Sequence, residues 1–97
     1  MASYTEYETY MKKYKEEYGE QVVVLYQCGK FYEIYDANEG LVNIKELSEL
    51  LNIQLTKRNK AKIKIDRSNF SMIGFPMQVL PRYINLLTNN QYTCYYV

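Results

Sequence analysis

The sequence predicts an α+β domain, a single mixed β-sheet with about three helices packed on it. Three observations carry that prediction. Short β-branched or aromatic runs alternate with segments whose apolar residues recur at steps of three and four. Glycine, asparagine or proline punctuates the junctions between them. Ninety-seven residues give one domain with a single modest core, residues 1–97, and no linker or repeat divides it.

Taken in order, Ser3 followed by Glu6 reads as a capping box that starts a helix near Tyr4. Tyr4, Tyr7, Met11, Tyr14 and Tyr18 form one stripe, expected to face the core, and Gly19 ends the helix. Gln21 to Gln27 reads as a strand buried on both faces. A second strand, Lys30 to Tyr35, pairs with it as a hairpin around Gly29. Asp36, Asn38 and Gly40 mark a turn. The next helix points Leu41, Ile44, Leu47 and Leu51 inward and ends at Asn52. Ile53 to Thr56 reads as a third strand and Phe70 to Ile73 as a fourth, stopped by Gly74 and Pro76. Between them Lys60, Lys62 and Lys64 alternate with Ala61, Ile63 and Ile65, as an edge strand or a loop would allow. Pro81 opens a helix that ends at Asn89-Asn90, and Tyr92 to Val97 is the last strand.

Composition excludes several chemistries. The chain has twelve tyrosines, no tryptophan and no histidine, so histidine-based triads and histidine-ligated metal sites are ruled out. No phosphate-binding Gly-Lys-Ser/Thr loop is present, and few acids lie near the basic segment, so the domain is expected not to be an enzyme. Cys28 and Cys94 read as two small buried hydrophobes in a reducing compartment. The longest apolar run is too short to span a bilayer, and an intracellular protein without membrane contact is expected.

Charge is less evenly spread than the net +1 suggests. Residues 57–67 hold six bases, Lys57, Arg58, Lys60, Lys62, Lys64 and Arg67, against the single acid Asp66. Such a concentration points to a polyanion. On the second strand, period-two alternation puts Phe31, Glu33 and Tyr35 on one face and Tyr32 and Ile34 on the other. If one face is buried, a ring and a carboxylate stand side by side on the outward one. Phenylalanine wedges can unstack base steps, at least cost where pairing is already weak.

A resemblance sharpens these readings. Gly29-Lys30-Phe31-Tyr32-Glu33-Ile34-Tyr35 is similar to the G-D-F-Y-E-x-[FY] motif of the MutS mismatch-recognition proteins. Leu55-Thr56-Lys57-Arg58 resembles that family's L-T-K-R, and Met72-Ile73-Gly74-Phe75-Pro76 its M-x-G-x-P. Tyr10 to Tyr14, Val22 to Gln27, Tyr83 to Leu87 and Asn90 to Tyr95 resemble the flanking helices and strands of its first domain. The resemblance implies a MutS domain I-like fold. It implies that Phe31 stacks on a mismatched base and that Glu33 hydrogen-bonds it. It further implies that Lys57 and Arg58 meet the DNA backbone, with Lys30, Lys60, Lys62, Lys64 and Arg67 as additional backbone candidates.

Four departures stand out. Lys30 replaces the usual aspartate, the segment 36–46 is several residues longer, residues 59–69 are unusually basic, and Gln78 stands where a histidine is usual. The expected function is recognition of mismatched or deformable base pairs in double-stranded DNA, as the sensing part of a mismatch repair protein. Burial of Glu33 against bases favours its neutral form, so mismatch affinity is expected to fall as pH rises. No cofactor is expected in this domain; ATP and Mg belong to a separate ATPase domain of a dimerising parent protein, of which the chain is expected to be a fragment. The alternatives are a protein-interaction module that keeps the fold, or a small RNA-binding domain.

Overall fold

A computed structural model describes residues 3–97. Five strands form one sheet in the order β3-β4-β2-β1-β5. In chain order these are β1 (Val22–Cys28), β2 (Phe31–Asp36), β3 (Thr56–Lys57), β4 (Ser71–Pro76) and β5 (Thr93–Tyr96). The sheet is mixed because β5 runs parallel to β1 while the other neighbours are antiparallel. Helix α1 (Tyr4–Tyr18) packs on one face; α2 (Ile44–Leu51) and α3 (Leu80–Asn89) pack together on the other. The α+β class and the order of elements are those the sequence predicts.

Local chemistry explains the elements. Ser3 Oγ accepts the Glu6 N–H at 3.2 Å, so the cap forms at the predicted place. The reciprocal half of the box does not form: Glu6 Oε1 instead accepts from the Tyr26 hydroxyl at 2.5 Å. Along the tyrosine stripe Tyr4, Tyr7 and Met11 are buried, whereas Tyr14 is half-buried and Tyr18 is exposed beside β5. Tyr14 there stacks on Tyr95 of β5, centroids 3.8 Å apart.

The β1–β2 hairpin turns at Gly29-Lys30, with Cys28 opposite Phe31. Gly29 has φ +62° and Lys30 does not enter the positive region, the Gly-X pattern of a type II′ turn. Any other residue at 29 would adopt that backbone at a cost.

Several boundaries differ from expectation. Leu41 is buried but lies before α2, which starts at Ile44 with Asn43 Oδ1 accepting the Glu46 N–H. Leu41 instead donates its N–H to buried Asp36 Oδ1 at 2.9 Å, closing the 36–41 turn. The third strand is Thr56–Lys57 rather than 53–56, since Ile53 N–H bonds back to Ser48 at the end of α2. The fourth continues through Gly74 to Pro76 instead of stopping, because Gly74 pairs with Glu33 and Pro76 ends the ladder opposite Phe31. Of the two alternatives for residues 60–65, the structure has the loop and not the edge strand. Both cysteines are free and half-buried rather than buried, and burial pushes the Cys94 thiol up to about 11. Among the described residues no helix is long and apolar enough to cross a membrane.

Candidate nucleic-acid interface

The sheet's register brings the three sequence motifs onto one surface. Residues directly opposite each other in a ladder project to the same face. Phe31 lies opposite Pro76, Glu33 opposite Gly74 and Tyr35 opposite Met72, and Met72 in turn lies opposite Thr56. Alternate residues of all three motifs therefore share the face on which α1 packs. α1 covers the Tyr35 end of it and reaches across to Tyr26, the residue opposite Glu33 on β1. The rest is left open around Phe31, which is 45% exposed, and Glu33, which is half-buried.

That arrangement corrects one expectation. Tyr35 shares the face of Phe31 and Glu33 but is fully buried, its ring 5.0 Å from Tyr7 and 4.6 Å from Phe70. Its hydroxyl donates to Glu33 Oε1. One oxygen of the Glu33 carboxylate is thus held from within the core.

Gly74 sets the floor beside Glu33. A Cβ at this position would stand 3.2 Å from Glu33 Cγ and 3.2 Å from the Tyr32 carbonyl oxygen. The bare backbone leaves the carboxylate room to lie flat along the sheet. The turn that carries Phe31 is braced in the same way: Met77 N–H donates to the Lys30 carbonyl at 2.9 Å, and Gln27 Nε2 donates to the Gly29 carbonyl at 3.4 Å. Lys30 itself is exposed at the tip.

The basic residues divide into two groups. Arg58, Lys60, Lys62 and Lys64 are exposed and Lys57 is half-buried; none of the five takes part in an ion pair among the described residues. Arg58 also lies over the Phe70 ring at 5.9 Å. Arg67 is occupied differently. Its guanidinium binds Glu8 at 2.6 Å and Glu39 at 2.9 Å and lies 4.9 Å from the centroid of Tyr4. The Arg67 hydrogen bond holds the Glu8 carboxyl at about 2, well below the usual carboxylate range.

The ladder separates the ring from the lysines of residues 57–64, while Lys30 stays beside it. Phe31 pairs at the Pro76 end, while Lys57 and the loop after it join β4 at Ser71, opposite Asp36. Five residue steps at about 3.4 Å each put roughly 17 Å between the two ends. No His, Cys, Asp and Glu cluster among the described residues could hold a metal ion.

Residues 5–97 match the profile of MutS domain I. The chain belongs to the MutS domain I family. A mutS homolog of Acanthamoeba polyphaga mimivirus is 35% identical to it over 92 residues, which cover 93% of the chain. This MutS domain I chain spans 8% of the length of that relative. Membership joins the L-T-K-R, G-x-F-Y-E and M-x-G-x-P strings, but sequence spacing alone did not reveal that their alternate residues are cross-strand neighbours. Met72, Gly74 and Tyr35 were missed as site residues for that reason. Period-two alternation applied to both strands at once, Phe-x-Glu-x-Tyr against Met-x-Gly-x-Pro, would have found them.

Proposed function

We propose that this chain is the DNA-contacting domain of a MutS-type mismatch repair protein, sensing mismatched or deformable base pairs. Phe31 enters the minor groove and stacks on the weakened base, and Glu33 meets that base. The observation that carries this reading is the exposed Phe31 ring beside a carboxylate held from below by Tyr35, on a face where three motifs converge. Unstacking costs a few kcal/mol and less at a mismatch, so the wedge discriminates by how easily the duplex yields. The domain performs no chemistry of its own. ATP, Mg and dimerisation belong to other parts of the parent protein, whose grip on DNA presses the wedge home.

Fluorescence anisotropy with matched and mismatched duplexes tests this in a protein that carries the domain in its parent context. Phe31→Ala is expected to abolish the preference for the mismatch. A preference unchanged by that substitution would overturn the wedge.

The second reading, a protein-interaction module, draws on the separation of Phe31 from the lysines, since a partner could occupy either end alone. Unlabelled duplex DNA separates the two readings: it competes for the Phe31 face under the first and does not under the second. Structured RNA as the better competitor would favour an RNA-binding role instead.

A further inference from the structure

The loop between β3 and β4 carries a feature that recognition of a mismatch does not use. Ile63 is 91% exposed, and exposed Lys62 and Lys64 flank it, with exposed Lys60 three residues before it. The loop is not loosely hung. Asn69, only 1% exposed, spans it from inside: its Oδ1 accepts the Asn59 N–H at 2.7 Å, and its Nδ2 donates to the Lys64 carbonyl at 2.8 Å and the Lys62 carbonyl at 3.4 Å. Asp66 Oδ1 accepts from the Ser68 hydroxyl and from the Ser68 and Asn69 N–H groups, fixing the return turn. A cationic, apolar-tipped loop is thus held in one shape by a buried amide.

We propose that residues 59–65 form a second contact for duplex DNA, in which Lys60, Lys62 and Lys64 reach phosphates and Ile63 lies against the sugar edges of the minor groove. This rests on the DNA-contacting role proposed above, and it adds an arm at the opposite end of the β2–β4 ladder from Phe31. Charge complementarity favours DNA: three ammonium groups that make no ion pair among the described residues stand around one apolar side chain, with Asp66 near Lys64 as the one acid that offsets them. An anionic membrane would meet the same charges, but a single isoleucine offers too little apolar insertion for stable anchoring, for which even one acyl chain is marginal. Pre-organisation by Asn69 lowers the ordering cost of binding. The arm reads no sequence and no mismatch. It raises affinity for any duplex and, from beyond the far end of the ladder, sets where the wedge can come down.

The test measures affinity of the 97-residue chain for a short matched duplex and its mismatched counterpart between about 50 and 200 mM salt. Combined Lys60→Gln, Lys62→Gln and Lys64→Gln are expected to flatten the log–log salt slope by about 2.7, three phosphates at about 0.9 each. Ile63→Ser is expected to weaken both duplexes about fivefold without changing the slope. Both variants leave the mismatch-to-match ratio unchanged, whereas Phe31→Ala lowers it. An unchanged slope in the triple variant, or no binding of the wild-type chain at the lowest salt, would overturn the arm. Tighter binding to phosphatidylserine vesicles than to DNA would assign the loop to a membrane and overturn it as well. A flattened slope with a ratio indifferent to Phe31→Ala would uphold the arm and count against the wedge.

Discussion

The Tyr35 hydroxyl donates to Glu33 Oε1, two residues back along the same strand and on the same face. A ring fully buried under α1 thereby holds a carboxylate at the edge of the open surface. Replacing Tyr35 with phenylalanine keeps the ring packing and removes only the donor. We expect a stability loss of about 1 kcal/mol, because half-exposed Glu33 can turn to water. Mismatch preference is expected to fall severalfold. In a Glu33→Ala background the same substitution should leave the preference unchanged, which a purely structural role for the hydroxyl would not produce.

Gly74 answers to a different constraint. Its φ is not in the positive region, so the backbone tolerates alanine, but the added Cβ would press on Glu33 Cγ and the Tyr32 carbonyl at 3.2 Å. Gly74→Ala is expected to cost about 1 kcal/mol or more through crowding. It should also displace the Glu33 side chain, visible as chemical-shift changes in β2 that leave α3 untouched.

The ion pair of Arg67 with Glu8 predicts a pH dependence. Glu8 falls from 4.5 to about 2 in the folded chain. Its stabilisation is therefore complete above the unfolded value and is lost as pH falls from about 4.5 toward 2. Arg67→Met removes the larger part of that contribution and leaves the Lys12 part, so acid unfolding followed by circular dichroism is expected to begin at higher pH. The gap between the two proteins should narrow as Glu8 is protonated, leaving the contact of Arg67 with the Tyr4 ring as what still separates them.

Tyr7 provides a contrast within the core. Its hydroxyl donates to the Val24 carbonyl at 2.7 Å in full burial. Tyr7→Phe leaves that carbonyl without this donor and is expected to cost about 1–3 kcal/mol in urea denaturation. Tyr18→Phe, at an exposed site where the hydroxyl meets Tyr95, should be nearly silent.

Elements that depend on local chemistry were legible in the sequence: the Ser3 cap, the Gly29 turn and the helix opened by Pro81 all fall where the residue types require. Relationships set by pairing were not. Tyr35 reads as an outward residue until α1 is known to cover its end of β2. Gly74 and Pro76 read as a strand terminus until their partners, Glu33 and Phe31, are known. Arg67 reads like the other bases of its segment, and only the approach of Glu8 and Glu39 sets it apart. The distance between wedge and lysines depends on register, which one strand's periodicity does not supply.

The tyrosine hydroxyls have a consequence for how the layers can move. Tyr7 reaches Val24, Tyr26 reaches Glu6, Tyr92 reaches Glu46, and Tyr4 takes the N–H of Ala37. Purely apolar layers can slip by a fraction of a helical turn and still bury the same area. Here each such slip would strand several hydroxyls at once, so α1 has a single phase against the sheet. A load applied to Phe31 would then be passed to the whole domain as to one stiff lever, and any bending would fall to whatever presses on it.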